Sequence, residues 1–268
     1  MLIGNTLIIT DPTSELLRDC GYSLKKKGYD IKVLNLDDKA NSNHYNPLVY
    51  IRKANVDSFD NVLQKEVDKD IQEDDVMTLI NTLMVNTKSE NIDSVNGDPF
   101  WEKAEMIYLQ ALFYYTLRHY EKRHQNFTTI LKLIRLSKPD DSGRSILDEL
   151  FDKWAMKEPE AIGVKQYKHF KVAAAAPKMM STIIMVATAR LATFNIQEVA
   201  NLTDVDDMEL ERIGMPADDN DPLLKEISEK AGKKIKNGKV AYFIITKPSD
   251  STFNFLRKSF LYPNFCTN

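Results

Sequence analysis

Cysteine is nearly absent from this sequence: Cys20 and Cys266, at opposite ends of the chain, are the only two in 268 residues. That excludes a disulfide framework. Neither stands in a C-x-x-C or Cys/His cluster of the kind that holds zinc, so a reducing, cytoplasmic setting is expected. Histidine is almost as scarce. His119 and His124 are spaced so that they fall on different sides of a helix, and His44 and His169 are isolated. H-E-x-x-H and G-x-S-x-G are both missing, which leaves hydrolase readings without a motif.

Neither sign of charge dominates. Lys and Arg number 36 against 39 for Asp and Glu, a formal net charge of -3, so any nucleic-acid surface has to be a local patch. The longest apolar stretch, MMSTIIMVATARLATF at 179–194, is broken by Arg190 and flanked by Lys178. It falls short of the roughly 18–20 apolar residues that a membrane span needs. Met1 is followed by Leu-Ile-Gly without the basic start of a signal peptide, and a soluble chain is expected. Glycine numbers only nine, and none builds a phosphate loop. Gly232-Lys233 and Gly238-Lys239 are followed by Lys and Val, neither pair follows a strand, and G-x-x-x-x-G-K-[ST] does not occur.

What is present is organised. NTLIIT (5–10) and DIKVLNL (30–36) are short β-rich runs. Between them Leu16, Leu17, Cys20 and Leu24 recur at helical spacing, and Lys25-Lys26-Lys27-Gly28 closes the helix with cations and a C′ glycine. The unit reads as β-α-β with a parallel crossover. Residues 57–75 carry eight acids and two lysines, with Val62, Leu63 and Val67 as a modest helix face, and read as a solvated surface.

From about 76 to 194 the texture is helical. Asp98 and Pro99 suit a helix start, and Trp101, Ala104, Tyr108, Ala111 and Tyr115 form a buried stripe. Residues 127–136 and 145–157 read as amphipathic helices, with Ile146, Leu150, Phe151 and Trp154 sharing a face of the second. A further pair, 160–175 and 178–193, breaks or kinks at Pro177. After a polar excursion with a short helix at 222–231, KVAYFIIT (239–246) reads as a buried central strand, and a last helix spans 250–262. The expected fold is α/β, a partial parallel sheet with a large all-α domain inserted: residues 1–75 open the sheet domain, 76–194 are the insertion and 195–268 return to it.

Two places could carry chemistry. LIITD (7–11) has the form of a strand ending in a metal-holding acid, although Asp11 before a helix reads first as an N-cap. Lys230, Lys233, Lys234, Lys236 and Lys239 could contact phosphates, but no aromatic residues interleave them to stack bases.

The stretch ITDPTSELLRDCGYSLKKKGYDIKVLNL, followed by HYNPLVYI, resembles the segment just after the Walker A helix in TraG/TraD-type coupling proteins of type IV secretion. The resemblance continues through DPFWEKAEMIYLQAL, FKVAAAAPKMMSTIIMVATARLATFN and VAYFIITKPSDSTFNFL, in the family's order. It implies a RecA-like motor domain with an all-α domain inserted, in a membrane-anchored hexameric ATPase that uses ATP and magnesium. Such proteins deliver relaxase-bound single-stranded DNA, or protein substrates, to the channel components of the secretion system at the cytoplasmic side of the membrane. The helical domain is the substrate-facing part.

On this reading the phosphate loop and membrane anchor are expected upstream of residue 1 and the Walker B strand downstream of residue 268. The chain itself is then an inactive fragment that binds no cofactor of its own. Asp11 and Glu15 lie near the family's nucleotide site, but Thr13-Ser14 stand where the family has Lys-Gly. The ending SFLYPNFCTN, with Pro263, breaks a helix that the family continues, and the excursion at 215–238 is longer than expected. The alternative is a stand-alone α/β enzyme or ligand-binding protein using Asp11, Glu15 and Asp37 at strand ends. A third reading is a protein–protein adaptor that never touches DNA.

Overall fold

The computed structural model describes residues 6–51, 71–87, 99–140, 143–230, 234–247 and 253–261. In chain order these give β1 (Leu7–Thr10), α1 (Glu15–Lys26), β2 (Asp30–Asn35), short 3-10 turns at Lys39–Asn41 and Pro47–Tyr50, α2 (Glu73–Asn86) and α3 (Pro99–His119). There follow α4 (Phe127–Arg135), α5 (Ile146–Lys157), α6 (Ile162–Ala173), α7 (Pro177–Arg190), α8 (Gln197–Asp204), α9 (Pro222–Lys230), β3 (Val240–Ile245) and α10 (Asn254–Leu261). The fold is α/β with a large helical insertion. Two compact units make it up: Met1–Gln72 with Val205–Asn268, and Glu73–Asp204. The helical unit thus includes α8, beyond the 194 read from the sequence texture. Val62, Leu63, Val67, Asp98, Pro263 and Cys266 lie outside the described residues.

In the α/β unit the three strands lie in the order β1-β3-β2, and both outer strands run parallel to β3. Ala241 is opposite Leu7 on one side and Ile31 on the other. Every residue of VAYFII is buried, as a strand flanked on both edges and covered on both faces must be. Leu7, Ile9, Ile31, Val33, Ala241 and Phe243 share one face with Tyr29 and with Leu17 and Leu24 of α1. Here the helical stripe differs from the expected one. Leu16 is 47% exposed and Cys20 is exposed, so the buried line runs through Leu17, Gly21 and Leu24 instead. The rotation by one residue follows from where the chain enters α1, described below.

The end of α1 forms as its residues dictate. Gly28 adopts φ +82, its N–H donates to Leu24's neighbour Lys25 O (2.9 Å), and the Tyr29 N–H reaches back to Leu24 O (3.1 Å). This pair of bonds is a Schellman cap, completed by the contact of Tyr29 with Leu24 in the core. A side chain at 28 would be strained by the positive φ.

The helical unit is built around α3, whose residues Tyr108–Thr116 are buried on all sides. Of the expected stripe, Ala104, Tyr108, Ala111 and Tyr115 are buried, while Trp101 is half-buried. Tyr108 packs on Phe170 of α6 with ring centroids 4.5 Å apart. Gly163 permits that approach, because a Cβ there would come within 2.4 Å of the Trp154 ring and 2.8 Å of the Tyr114 Cβ. Phe151 stacks on Tyr167 at 3.9 Å, and the Tyr167 hydroxyl donates to Asp148, which closes a capping box with Ser145 at the head of α5. On α5 the buried face is Leu147, Phe151 and Trp154, while Ile146 is 56% exposed. Placing Ser145 at the N-cap turns Ile146 outward and gives its expected core position to Leu147. Pro177 occupies the first turn of α7, so it starts this helix rather than kinking one.

One buried ion pair joins three helices of this unit. Arg190 of α7 makes a bidentate bridge to Glu105 of α3 (Nε to Oε1 2.6 Å, Nη2 to Oε2 2.8 Å). Its Nη1 donates to Met84 O (2.9 Å) and Thr87 Oγ1 (3.1 Å) at the end of α2. Breaking a buried pair by removing one partner leaves an uncompensated charge, so Glu105→Ala should destabilise this unit by about 3–5 kcal/mol. Both tryptophans, Trp101 and Trp154, lie in the helical unit. Urea unfolding followed by tryptophan fluorescence therefore reads its stability directly, and an unchanged midpoint would refute the assignment.

Candidate functional site

The sheet itself singles out one place for a ligand. After β1 the chain enters α1 on the Ala241–Phe243 face, whereas Phe260 of α10, which follows β3, packs on Tyr242 from the opposite face (5.7 Å between centroids). Successive helices leaving to opposite faces open a crevice outside the carboxyl ends of β1 and β3, where open α/β sheets bind ligands. Asp11 and Thr246 stand at those strand ends, and both are buried.

Asp11, however, is already engaged. Its N–H extends the ladder to Ile244 O (2.9 Å), its carbonyl accepts from Ser14 N (3.3 Å), and its carboxylate accepts from the Leu17 N–H (2.8 Å). The N-cap position is taken by Ser14, which makes no side-chain cap bond and sits at φ 61, ψ 13. The capping role read for Asp11 is thus performed from outside the N-cap position: its carboxylate satisfies one of the orphan N–H groups of the first turn. This long-range cap fixes the entry angle of α1 and so which leucine faces the sheet. The left-handed backbone at Ser14 is where a glycine costs nothing and a serine carries roughly 1–2 kcal/mol of steric penalty.

The other acids do not converge on Asp11. Glu15 is exposed in the first turn of α1. Asp37, after β2, pairs with Lys247 after β3 at 2.6 Å. The lysine set is divided as well. Lys230 ends α9 and Lys233 lies outside the described residues. Lys234 is exposed, Lys236 pairs with Glu209, and Lys239 Nζ lies over the Tyr29 ring at 5.5 Å. Glu209 also receives Arg212 (3.0 Å) and Lys32 (3.7 Å).

A second cluster joins residues far apart in sequence. His44 and Asp207 exchange three bonds: His44 N to Asp207 Oδ1 (2.8 Å), Asp207 N to His44 O (3.1 Å), and His44 Nδ1 against Asp207 Oδ2 (3.1 Å). Beside them Asp206 accepts from the Tyr50 hydroxyl and from Asn46 N (3.1 Å), while the Tyr50 oxygen accepts from Leu210 N (3.1 Å). Lys32 Nζ donates to Asp207 O at 2.6 Å. The cluster seats residues 205–210, the segment with which the chain re-enters the α/β unit. Burial pushes the Asp206 carboxyl up to about 6, and the donations from Tyr50 and Asn46 offset that only in part. The Tyr50 phenol is raised strongly, first by burial and then by Asp206. Reading the sequence alone leaves His44 isolated, and the D-x-D-D run at 204–207 carries no motif that announces a partner in residues 44–50.

Among known proteins, a family model described as Type IV secretory system Conjugative DNA transfer matches residues 1–219. No curated protein matches the chain. Among the described residues, no helix is long and apolar enough to cross a membrane.

Two outcomes follow from this geometry. Ser14→Gly should raise the unfolding free energy of the α/β unit by roughly 1 kcal/mol, read by hydrogen exchange of the α1 and β3 amides. A loss of protection would contradict the strain assigned to Ser14. Because Asp206 holds its proton more tightly folded than unfolded, its contribution to stability is full below about pH 4 and is lost as pH rises through about 6. Wild type minus Asp206→Asn should show that downward slope with rising pH, and parallel curves would refute it.

Proposed function

Because this chain belongs to the type IV secretory system conjugative DNA transfer family, we propose that it is the recruiting part of a TraG/TraD-type coupling protein. In this reading Glu73–Asp204 is the substrate-facing helical domain, and it brings a relaxase carrying single-stranded DNA, or a protein substrate, to the channel components of the secretion system. The α/β unit is a portion of a RecA-like motor domain whose remaining parts complete the nucleotide site. It works at the cytoplasmic side of the membrane, and hexamers belong to the complete motor. The observation that carries the proposal is the extent of the family match, which takes in the start of the sheet and the whole helical unit.

The strand-end chemistry supports a recruiting rather than a hydrolytic role. ATP with magnesium requires a loop of backbone N–H groups, a lysine on the β- and γ-phosphates and a free acid for the metal. Here the Asp11 carboxylate is bound to the Leu17 N–H, Asp37 is paired with Lys247, and the turn between β1 and α1 reads Pro-Thr-Ser without a lysine. The described residues do not by themselves supply that set of groups, and no catalytic step is assigned to them. The stand-alone enzyme reading is the weaker one, since two of its three acids are engaged, Asp11 by the Leu17 N–H and Asp37 by Lys247.

The purified chain should bind the relaxase of its own conjugative system saturably in biolayer interferometry and should show no magnesium-dependent ATP hydrolysis. Robust turnover, or absence of relaxase and effector binding, would overturn the proposal. Anisotropy titrations with labelled single-stranded oligonucleotides at several salt concentrations then decide whether DNA is touched here, the log–log slope counting the phosphates contacted.

A further inference from the structure

The apolar stretch at 179–194 is only partly used by the core. On α7, Ile183, Ala187 and Arg190 are buried. A second stripe on the same helix, Ser181, Ile184, Met185 and Thr188, faces a groove instead, and Met185 is 64% exposed. The opposite wall is a matching stripe on and just after α4: Leu131, Ile134, Arg135 and Lys138. Both stripes follow the i, i+3/i+4, i+7 rhythm by which one helix seats another. The groove they bound has a volume of ≈ 470 Å³, within the usual range for a binding cleft.

Its chemistry narrows the occupant. The hydroxyls of Ser181 and Thr188 donate back to Pro177 O (3.0 Å) and Ile184 O (2.7 Å), so neither asks for a partner in the groove. The floor is formed by the buried Leu131 and Ile134 with the half-buried Ile184. Arg135 and Lys138 are exposed at the α4 side, and among the described residues that line the groove there is no carboxylate. The Arg135 guanidinium uses one nitrogen on Asn195 Oδ1 (3.0 Å), which leaves the cation itself unneutralised by that amide. Among the described residues no aromatic ring lines the groove, so they build no base-stacking seat for single-stranded DNA there.

We propose that the α4–α7 groove is the seat for an amphipathic helical segment of a protein partner, with aliphatic anchors at i, i+3/i+4, i+7 and carboxylates flanking them. Leucine-type side chains enter between Ile134, Ile184 and Met185, and the carboxylates meet Arg135 and Lys138. This rests on the recruiting role proposed for the helical unit and specifies its substrate class.

The test uses the whole chain and a fluorescein-labelled 16-residue peptide with leucines at the anchor spacing and glutamates beside them. A second peptide has every glutamate replaced by lysine, and a dT20 oligonucleotide serves as the nucleic-acid probe. The double variant Arg135→Glu/Lys138→Glu alters exposed residues only, and Met185→Asp places a charge on the exposed wall. Wild type should bind the glutamate peptide and not the lysine peptide. The double variant should lose about tenfold in affinity for the first and gain affinity for the second, a swap that a merely structural role would not produce. Met185→Asp should weaken the glutamate peptide without moving the urea midpoint. Equal binding of both peptides, binding of neither, or loss of dT20 binding alone in the double variant would each overturn the assignment. Relaxase and effector binding measured with the same variants separates the two levels. Wild-type binding that both variants retain sinks the groove and spares recruitment, whereas a wild-type chain that binds no cargo sinks recruitment itself.

Discussion

The α/β unit depends on a strand that arrives last. Neither β1 nor β2 pairs with the other; among the described strands each pairs only with β3, which lies some two hundred residues further along the chain. Everything in this unit is arranged around that fact. α1 and Tyr29 cover one face of β3, and Tyr45, Phe260 and the segment around Glu209 cover the other, where the Tyr242 hydroxyl donates to Glu209 O. The clasp of His44 and Tyr50 on Asp207 and Asp206 belongs to the same constraint, because it seats the returning chain just ahead of the strand it must deliver. A helical unit can be accommodated between β2 and β3 only if that return is fixed, and here it is fixed by directed hydrogen bonds rather than by apolar packing alone.

The helical unit is organised by a different force. Its core is aromatic and aliphatic around α3, and the buried Arg190–Glu105 bridge ties α7 to α3 and to the end of α2. A guanidinium whose bonds go to a carboxylate, a carbonyl and a hydroxyl at once is more demanding of geometry than apolar contact is. With this tie one stripe of α7 lies inside and the next forms a wall of the α4–α7 groove. The proposed docking groove and the core of the unit thereby share one helix.

Local chemistry was legible in the sequence; long-range pairing was not. Gly28 after three lysines announces its helix end, VAYFII announces a buried strand, and the spacing of Tyr108, Ala111 and Tyr115 announces a core stripe. The stripes expected for α1 and α5 are right at Leu17, Leu24, Phe151 and Trp154 and wrong at Leu16, Cys20 and Ile146, since Leu16 and Leu17, like Ile146 and Leu147, are adjacent apolar residues. Periodicity cannot choose between such neighbours without the cap that sets the helix phase. In α1 that cap is Asp11 acting past Ser14, and in α5 it is Ser145 with Asp148. The clasp was invisible for another reason: His44 and Asp207 are 163 residues apart, and nothing in either segment encodes the other.

The late arrival of β3 also has a consequence for synthesis. A ribosome adding about 5–20 residues per second needs on the order of 10–40 s to travel from the end of β2 to the end of β3. During that interval β1 and β2 have emerged with no strand to pair, while the helical unit, whose main contacts are among its own helices, has everything it requires to fold. The inserted unit can therefore fold first, and the sheet is completed only once β3 has emerged. A chain released before residue 245 would carry a helical unit able to fold and an α/β unit still short of the strand that joins β1 to β2.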